Sequence, residues 1–154
     1  KNKTAVVNFN NLISLFIEFD EQGIGNSEFD IYFSLSSNDI FVASIIKTMQ
    51  DTMVQVFEQI IEKGVINGEF KVQNPALATK FIVRELTSMA EEIFRDMMAG
   101  KELEHMYESV DFSYLIIKTA LGITDDSLTF KKRLYSYLQN NYEAVKEYYF
   151  KGEQ

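Results

Sequence analysis

The sequence predicts an all-α fold, a single-domain helical bundle of about six helices covering residues 1–154. One proline and seven glycines interrupt the 154 residues. Almost every glycine separates two stretches whose apolar residues recur at helical spacing. No strand-like alternation of useful length competes with this pattern. Apolar residues make up 46% of the chain and aromatic residues 14%, which is enough for one substantial core and argues against disorder.

Three helices are predicted in the first half of the chain. The first covers residues 4–20, where apolar residues recur at helical spacing before a glycine-containing break at 22–26. A short aromatic helix is predicted at 27–35. A long helix follows at 39–63, with Asp39 as a suitable N-cap.

The junction after the long helix carries explicit stop and start signals. Gly64 and Gly68 can adopt the left-handed conformation that closes a helix C-terminus. Asn74 can accept a hydrogen bond from the free N–H groups of the next helix, and Pro75 suits the first helical position. Phe70, between these signals, is expected to enter the core.

The helix predicted from Pro75 to about Ala99 carries apolar residues on more than one side. One stripe contains Phe81, Ile82 and Met89, and the other contains Val83, Leu86, Ala90, Ile93 and Met97. A helix on the surface of a small monomer needs only one buried face. The second stripe therefore predicts an additional partner, either another helix of the same chain or a second subunit.

The last third of the chain is predicted to hold two further helices. Residues 100–110 are polar and are predicted to form a loop. Asp111 then opens a short helix through Leu121, which Gly122 ends. Cap-forming residues precede a last helix at 126–150, whose place in the fold the sequence leaves open.

The composition limits the possible cellular compartments and binding partners of the protein. The net charge of −8 and the pI near 4.7 oppose binding to phosphate backbones, so these residues are not expected to bind DNA. The absence of cysteine excludes disulfides, thiolate metal sites and cysteine nucleophiles. Neither a membrane-spanning run nor a secretory leader is visible, which predicts a soluble, cytoplasmic protein. Because the first residue is Lys1 rather than methionine, further chain is expected upstream.

The sequence predicts no enzyme, no cofactor and no metal. Glu102 and His105 have the spacing of a ligand pair in di-iron bundles, but such a site needs two pairs and His105 is the only histidine. The same shortage argues against zinc sites and against a Ser-His-Asp triad. No phosphate-loop motif occurs. The basic cluster at 131–133 is expected to be an ordinary helix surface.

Glu85 is a carboxylate predicted on an apolar helix face. It lies between Ile82 and Met89 in helical spacing, where an unpaired carboxylate is costly. Two interpretations stay open. A slight rotation of the helix would let Glu85 pair with a lysine at the rim, or Glu85 binds a polar or cationic group of a small molecule.

The order of these motifs resembles a known family. A long apolar helix that ends in the pattern Gly-x-x-x-Gly-Glu-Phe at 64–70, a polar spacer, an N-cap and a second long helix are similar to the ligand-binding and dimerisation half of the tetracycline-repressor (TetR) family of transcriptional regulators. Residues 28–39 resemble the short helix and turn that precede the long helix in that family. The resemblance covers residues 4–122, and the helix at 126–150 lies beyond it. The family's N-terminal helix-turn-helix, which binds DNA, is not in this sequence.

The resemblance implies a homodimer and a ligand cavity. Dimerisation would use the helices at 75–99 and 111–121, with the interface residues Val83, Leu86, Ala90, Ile93, Met97, Leu115, Ile116 and Thr119. The cavity would hold a small apolar or aromatic effector, because Met and aromatic side chains suit such ligands. Its expected lining is Phe16, Phe29, Phe33, Met49, Met53, Phe57, Phe81, Glu85 and Met89.

The resemblance also implies a mechanism. The ligand would favour one arrangement of helices in the dimer and thereby release DNA from a separate N-terminal domain. An alternative from another class stays open, in which the chain is a helical dimerisation or adaptor module without a small-molecule ligand.

Overall fold

The computed structural model describes residues 4–23 and 39–150, and these residues form five helices and no strand. The helices are α1 (Ala5–Gly23), α2 (Asp39–Ile66), α3 (Pro75–Met98), α4 (Leu103–Ala120) and α5 (Phe130–Phe150). The all-α prediction is confirmed. The aromatic helix predicted at 27–35 lies outside the described residues. Within the described ranges, no helix combines the length and apolarity needed to cross a membrane.

The five helices enclose one core. α2, α3, α4 and α5 pack in sequence against one another, and α1 closes the arrangement by contacting both α2 and α5. Phe9 of α1 is fully buried at the centre. Its ring centroid lies 5.2 Å from that of Phe57, 6.3 Å from that of Phe70 and 6.4 Å from that of Phe130. Edge-on and tilted aromatic contacts of this kind therefore join α1 to α2, to α5 and to the loop between α2 and α3.

The end of α2 differs from the prediction at Gly64. The helix continues to Ile66, so Gly64 is a helical residue and the left-handed position is Gly68, with φ of 75°. A side chain at position 64 would overlap the ring of Phe70, which lies directly against the glycine. Gly64 is therefore required for space rather than for conformation. Phe70 is 2% exposed, which confirms its predicted place in the core.

The start of α3 agrees with the prediction. The N–H of Leu77 donates to Asn74 Oδ1 at 3.0 Å, and Asn74 has the extended backbone of an N-cap. Pro75 occupies the first helical position, where its missing donor costs no hydrogen bond.

The prediction of a loop at 100–110 is wrong, because most of this stretch is helical. α4 begins at Leu103, and Met106 and Val110 on its first turns are completely buried. Met106 and Val110 are at helical spacing, but they stand among glutamates and His105. Because of these polar neighbours, the stretch was predicted to be a loop. Only residues 99–102 connect α3 to α4, and they are held in place because Lys101 forms a 2.6 Å ion pair with Asp96.

The last helix starts at Phe130, later than predicted. Residues 125–127 instead form a turn, in which the Ser127 N–H donates to the Asp125 carboxylate at 3.1 Å. Asn10 of α1 fixes the end of this segment, because its amide donates to Ser127 O at 2.9 Å and accepts from the Thr129 N–H at 2.8 Å. Leu138 is completely buried. α5 is therefore part of the single core, which answers the question that the sequence left open.

Replacing Gly64 by alanine tests the close contact with Phe70. We expect Gly64→Ala to lower the free energy of unfolding by about 1–3 kcal/mol, because the added methyl group must displace a buried ring. Gly68→Asn is the control, since asparagine tolerates the left-handed conformation and position 68 has free space around it. Urea unfolding followed by circular dichroism measures both. A loss at position 64 no larger than that at position 68 contradicts the packing argument.

Candidate functional site

α3 is buried on two flanks by helices of its own chain. On one flank, Gln50 of α2 donates to Thr87 Oγ1 at 2.7 Å. On the other, Ser113 of α4 donates to Glu85 Oε1 at 2.6 Å. Glu85 thus meets a hydroxyl donor rather than the lysine considered from the sequence. The wide apolar surface of α3 is covered by α2 and α4, which is the first of the two partners that the sequence left open.

This packing places the predicted dimer residues in two groups. Val83, Leu86, Ile93 and Met97 are buried within the single chain, with exposures from 0% to 8%. They present almost no side-chain surface to a second subunit, because they fill the space between α3 and its neighbours. Leu115, Thr119 and Ala90 are exposed, and Ile116 is half-buried. Of the predicted interface, the part on α4 is therefore the more accessible.

The exposed sides of α3 and α4 form one surface, which we call the outer face. Its residues, all exposed, are Leu77, Lys80, Phe81, Arg84 and Glu92 on α3 and Glu104, Glu108, Phe112, Leu115 and Thr119 on α4. The short connection at 99–102 and the hydrogen bond between Ser113 and Glu85 make the two helices an antiparallel pair with these two residues side by side. Sequence reasoning missed Leu77 and Phe112 on this surface. Both residues could have been found from the sequence, because each is a large apolar residue on the polar side of an amphipathic helix.

A groove of about 480 Å³ lies at one end of the outer face. It is open to solvent and is lined by Val72, Asn74, Leu77, Ala78, Lys80, Phe81 and Arg84. Phe81 is 51% exposed and Leu77 is 65% exposed. Within the described residues, neither Lys80 nor Arg84 makes an ion pair. An apolar floor with two uncompensated cations suits a partner surface that combines apolar and acidic groups.

The residues predicted to line a ligand cavity do not converge in the described part of the chain. Met53, Phe57 and Met89 are buried in the packed core, with exposures of 7%, 0% and 6%. Phe81 lies on the outer face, and Phe16 is 39% exposed on α1. Glu85 is half-buried. Phe29 and Phe33 lie outside the described residues, as does the side chain of Met49, whose backbone belongs to α2.

A second concave surface lies where three chain segments meet at the start of α1. It measures about 500 Å³ and is lined by residues 4, 6 and 7 of α1 and its approach, 68, 69 and 71 of the α2–α3 loop, and 122–125 and 127 of the α4–α5 loop. Glu69 holds the first two segments together. Its Oε1 accepts from the Ala5 N–H and its Oε2 from the Val6 N–H, each at 3.1 Å. A carboxylate here satisfies free N–H groups at a helix N-terminus, where negative charge is favourable.

The pKa of the Glu69 carboxyl reflects this position. Burial alone raises it, but the hydrogen bonds from Ala5 and Val6, with smaller ones from Asn67 and Thr4, outweigh burial and lower the pKa below its ordinary value. Glu69 is therefore held in its charged form. The pattern at 64–70 contains this residue, but no local signal in it indicates a contact with the start of α1.

Asp111 joins α4 to α5. It accepts hydrogen bonds from Lys131, at 2.6 Å, and from the Tyr135 hydroxyl. These two hydrogen bonds lower the pKa of Asp111. Burial, together with the hydrogen bond to Asp111, raises the pKa of Tyr135 to about 12. Tyr135 stays protonated at neutral pH, and Lys131 balances the negative charge of Asp111. The cluster therefore stabilises the contact between α4 and α5.

Removing the Glu69 carboxylate tests its role at the start of α1. We expect Glu69→Ala to lower the free energy of unfolding at neutral pH by about 1 kcal/mol, because two backbone donors lose their acceptor. Since the folded-state pKa is lowered, the contribution is complete above the ordinary glutamate pKa and is lost as pH falls through the folded-state value. The stability difference between the wild type and the variant should therefore shrink in acid.

Urea unfolding across the acidic range measures this convergence. Glu62→Ala serves as the control, since Glu62 is exposed on α2. A difference between the wild type and Glu69→Ala that stays constant down to the lowest pH contradicts the assignment.

Comparison with known proteins does not identify a relative. No family model, no curated protein and no solved structure matches this chain. The functional interpretation therefore rests on the residues and the geometry of the chain itself.

Proposed function

We propose that this chain is the effector-binding and dimerisation half of a TetR-like, ligand-responsive transcriptional regulator of the cytoplasm. In this proposal a small apolar or aromatic molecule binds among the helices, and a separate N-terminal helix-turn-helix releases DNA in response. The order of the motifs at 64–78 supports the family assignment. The outer face supports the dimer, because it lies on the two helices that the resemblance assigns to dimerisation.

The exposed apolar side chains of the outer face carry this proposal. Phe112 is 66% exposed and Leu115 is 62% exposed, although α4 already buries Met106, Val110 and Ile117 completely on its inner side. The core therefore does not need these two residues. Leu77 and Phe81 extend the same surface on α3. Apolar side chains concentrated on one face of a helix pair are typical of a protein–protein contact.

α3 would connect ligand binding to the dimer. It contributes Leu77 and Phe81 to the outer face, and on another side it packs against α2. Gln50 and Thr87 form a polar link across that contact. A ligand that shifts α2 relative to α3 would therefore alter the placement of the outer face. It can do so only to the extent that it binds the two arrangements with different affinity.

A second function has one observation in its favour. Met53, Phe57 and Met89, which were expected to line the cavity, are packed into the core, and the grooves of 480 Å³ and 500 Å³ are both open. Such packing is typical of a helical dimerisation or adaptor module without a small-molecule ligand. The two functions share the outer face and differ in ligand binding.

A substitution in the outer face tests dimerisation. We expect the wild-type chain to sediment as a dimer at micromolar concentration and Leu115→Asp to weaken the dimer at least tenfold, because it places a charge in the buried centre of the contact. Ile66→Asp is the matched control, since Ile66 is 83% exposed at the end of α2, a helix that contributes no residue to the outer face. Sedimentation equilibrium measures both dissociation constants. A monomeric wild type, or equal effects of both variants, contradicts the proposed interface.

Ligand binding separates the regulator from the adaptor. We expect native mass spectrometry to reveal a retained small molecule, or calorimetric titration with a panel of apolar and aromatic compounds to reveal binding. Because a ligand stabilises the state that binds it, the same compound should raise the melting temperature. Dimerisation without binding across the panel supports the adaptor and removes the effector part of the proposal.

A further inference from the structure

The charged side chains of the outer face are separated by sign. Lys80 and Arg84 lie on the N-terminal half of α3, and Glu92 lies further along the same helix, roughly 18 Å from Lys80 at the helical rise of about 1.5 Å per residue. On α4, Glu104 and Glu108 precede Ser113, which sits beside Glu85. Because the helices run antiparallel, Glu104 and Glu108 lie at the same end as Glu92. The outer face therefore has a basic end and an acidic end.

Three nearby ion pairs leave this separation in place, and at the acidic end His105 Nδ1 lies 4.0 Å from the Glu108 carboxylate. Arg95, close to the acidic end, forms a 2.5 Å ion pair with Glu91 of its own helix. Lys118, close to the basic end, pairs with Asp126 at 3.4 Å. Asp111 is balanced by Lys131. Each of these pairs is neutral as a unit, so the polarity comes from the residues that define the two ends.

We propose that two copies of this chain associate through the outer face in an antiparallel orientation, with the basic end of each copy against the acidic end of the other. This inference rests on the dimer of the proposed function and adds its orientation. In a two-fold symmetric dimer every contact occurs twice, so both ends of both copies are paired. A parallel orientation would place Lys80 and Arg84 against their own equivalents and the glutamates against glutamates, which is unfavourable.

The net charge makes this orientation more important. Each copy carries −8, so two copies repel at long range. At the basic end, the positive charges of Lys80 and Arg84 attract the acidic end of the second copy and offset part of this repulsion. Phe112 lies between the two ends, one residue from Ser113 on α4. In the antiparallel dimer it lies close to the two-fold axis and contacts its equivalent in the second copy.

Charge reversal with rescue tests the orientation. We expect the double variant Lys80→Glu/Arg84→Glu to weaken the dimer about tenfold or more, and Glu104→Lys/Glu108→Lys to weaken it as well, because each places like charges together. The quadruple variant, which exchanges the two ends, should recover dimerisation near the wild-type level. Lys47→Glu/Lys132→Glu is the matched control, since it changes the net charge equally at exposed positions on α2 and α5.

The wild type and the four variants are compared by sedimentation equilibrium at about 0.05 M and about 0.5 M salt. The loss in the first double variant should be smaller at high salt because the charges are screened. Failure of the quadruple variant to recover, while Leu115→Asp still weakens the dimer at least tenfold, overturns the orientation and leaves the interface intact. If neither Leu115→Asp nor the charge reversals alter the dimer, the interface itself is wrong.

Cysteine pairing gives an independent readout, because the chain contains no cysteine. Under mild oxidation Phe112→Cys should form a disulfide with its own equivalent. Arg84→Cys and Glu108→Cys should each stay unlinked alone and form the mixed disulfide when combined. Efficient self-pairing of Arg84→Cys, without the mixed product, overturns the antiparallel orientation.

Discussion

The burial of α3 on two flanks is the constraint on which the rest of the structure depends. One flank packs on α2 and the other on α4, and each contact contains a polar link, Thr87 with Gln50 and Glu85 with Ser113. α2 and α4 cover two sides of α3. No described helix covers the remaining side, which is exposed to solvent. That side, joined to the exposed side of α4, is the outer face. The accessible surface is therefore a consequence of how the core is filled.

Three loops are each held by a single side chain, two of them through contacts between segments that are distant in sequence. Glu69 connects the α2–α3 loop to the start of α1, Asn10 connects α1 to the segment before α5, and Lys101 pairs with Asp96 between α3 and α4. Among these contacts, Glu69 satisfies N–H groups that the start of α1 leaves free. Because α1 is held at its first turn by a residue of the α2–α3 loop, a movement of that loop reaches α1 directly. The proposed function needs such a connection between the helices and any preceding domain.

Local chemistry predicted the fold where helix caps decide it, and failed where the packing of particular side chains decides it. The cap at Asn74 and Pro75 and the buried Phe70 followed from residue type alone. The role of Gly64 did not, because its cause is a ring that lies six positions later in the chain. In the candidate site, the resemblance assigned both Leu115 and Val83 to a dimer interface. Leu115 is exposed, whereas Val83 is buried by helices of its own chain, because the sequence could not decide which helix covers the second stripe.

The composition of the outer face favours a specific contact over general adhesion. Phe112 and Leu115 stand one turn apart and are flanked along α4 by Glu108 and Thr119, so the exposed apolar area is interrupted by polar groups. A partner must match both the apolar centre and the charges around it, and mismatched surfaces leave charges desolvated without compensation. An acidic protein gains from this arrangement, since the repulsion between its copies lowers the rate of unselective encounters. When two copies do meet, the separation of charges on the outer face favours the antiparallel orientation, because there the basic end of one copy attracts the acidic end of the other.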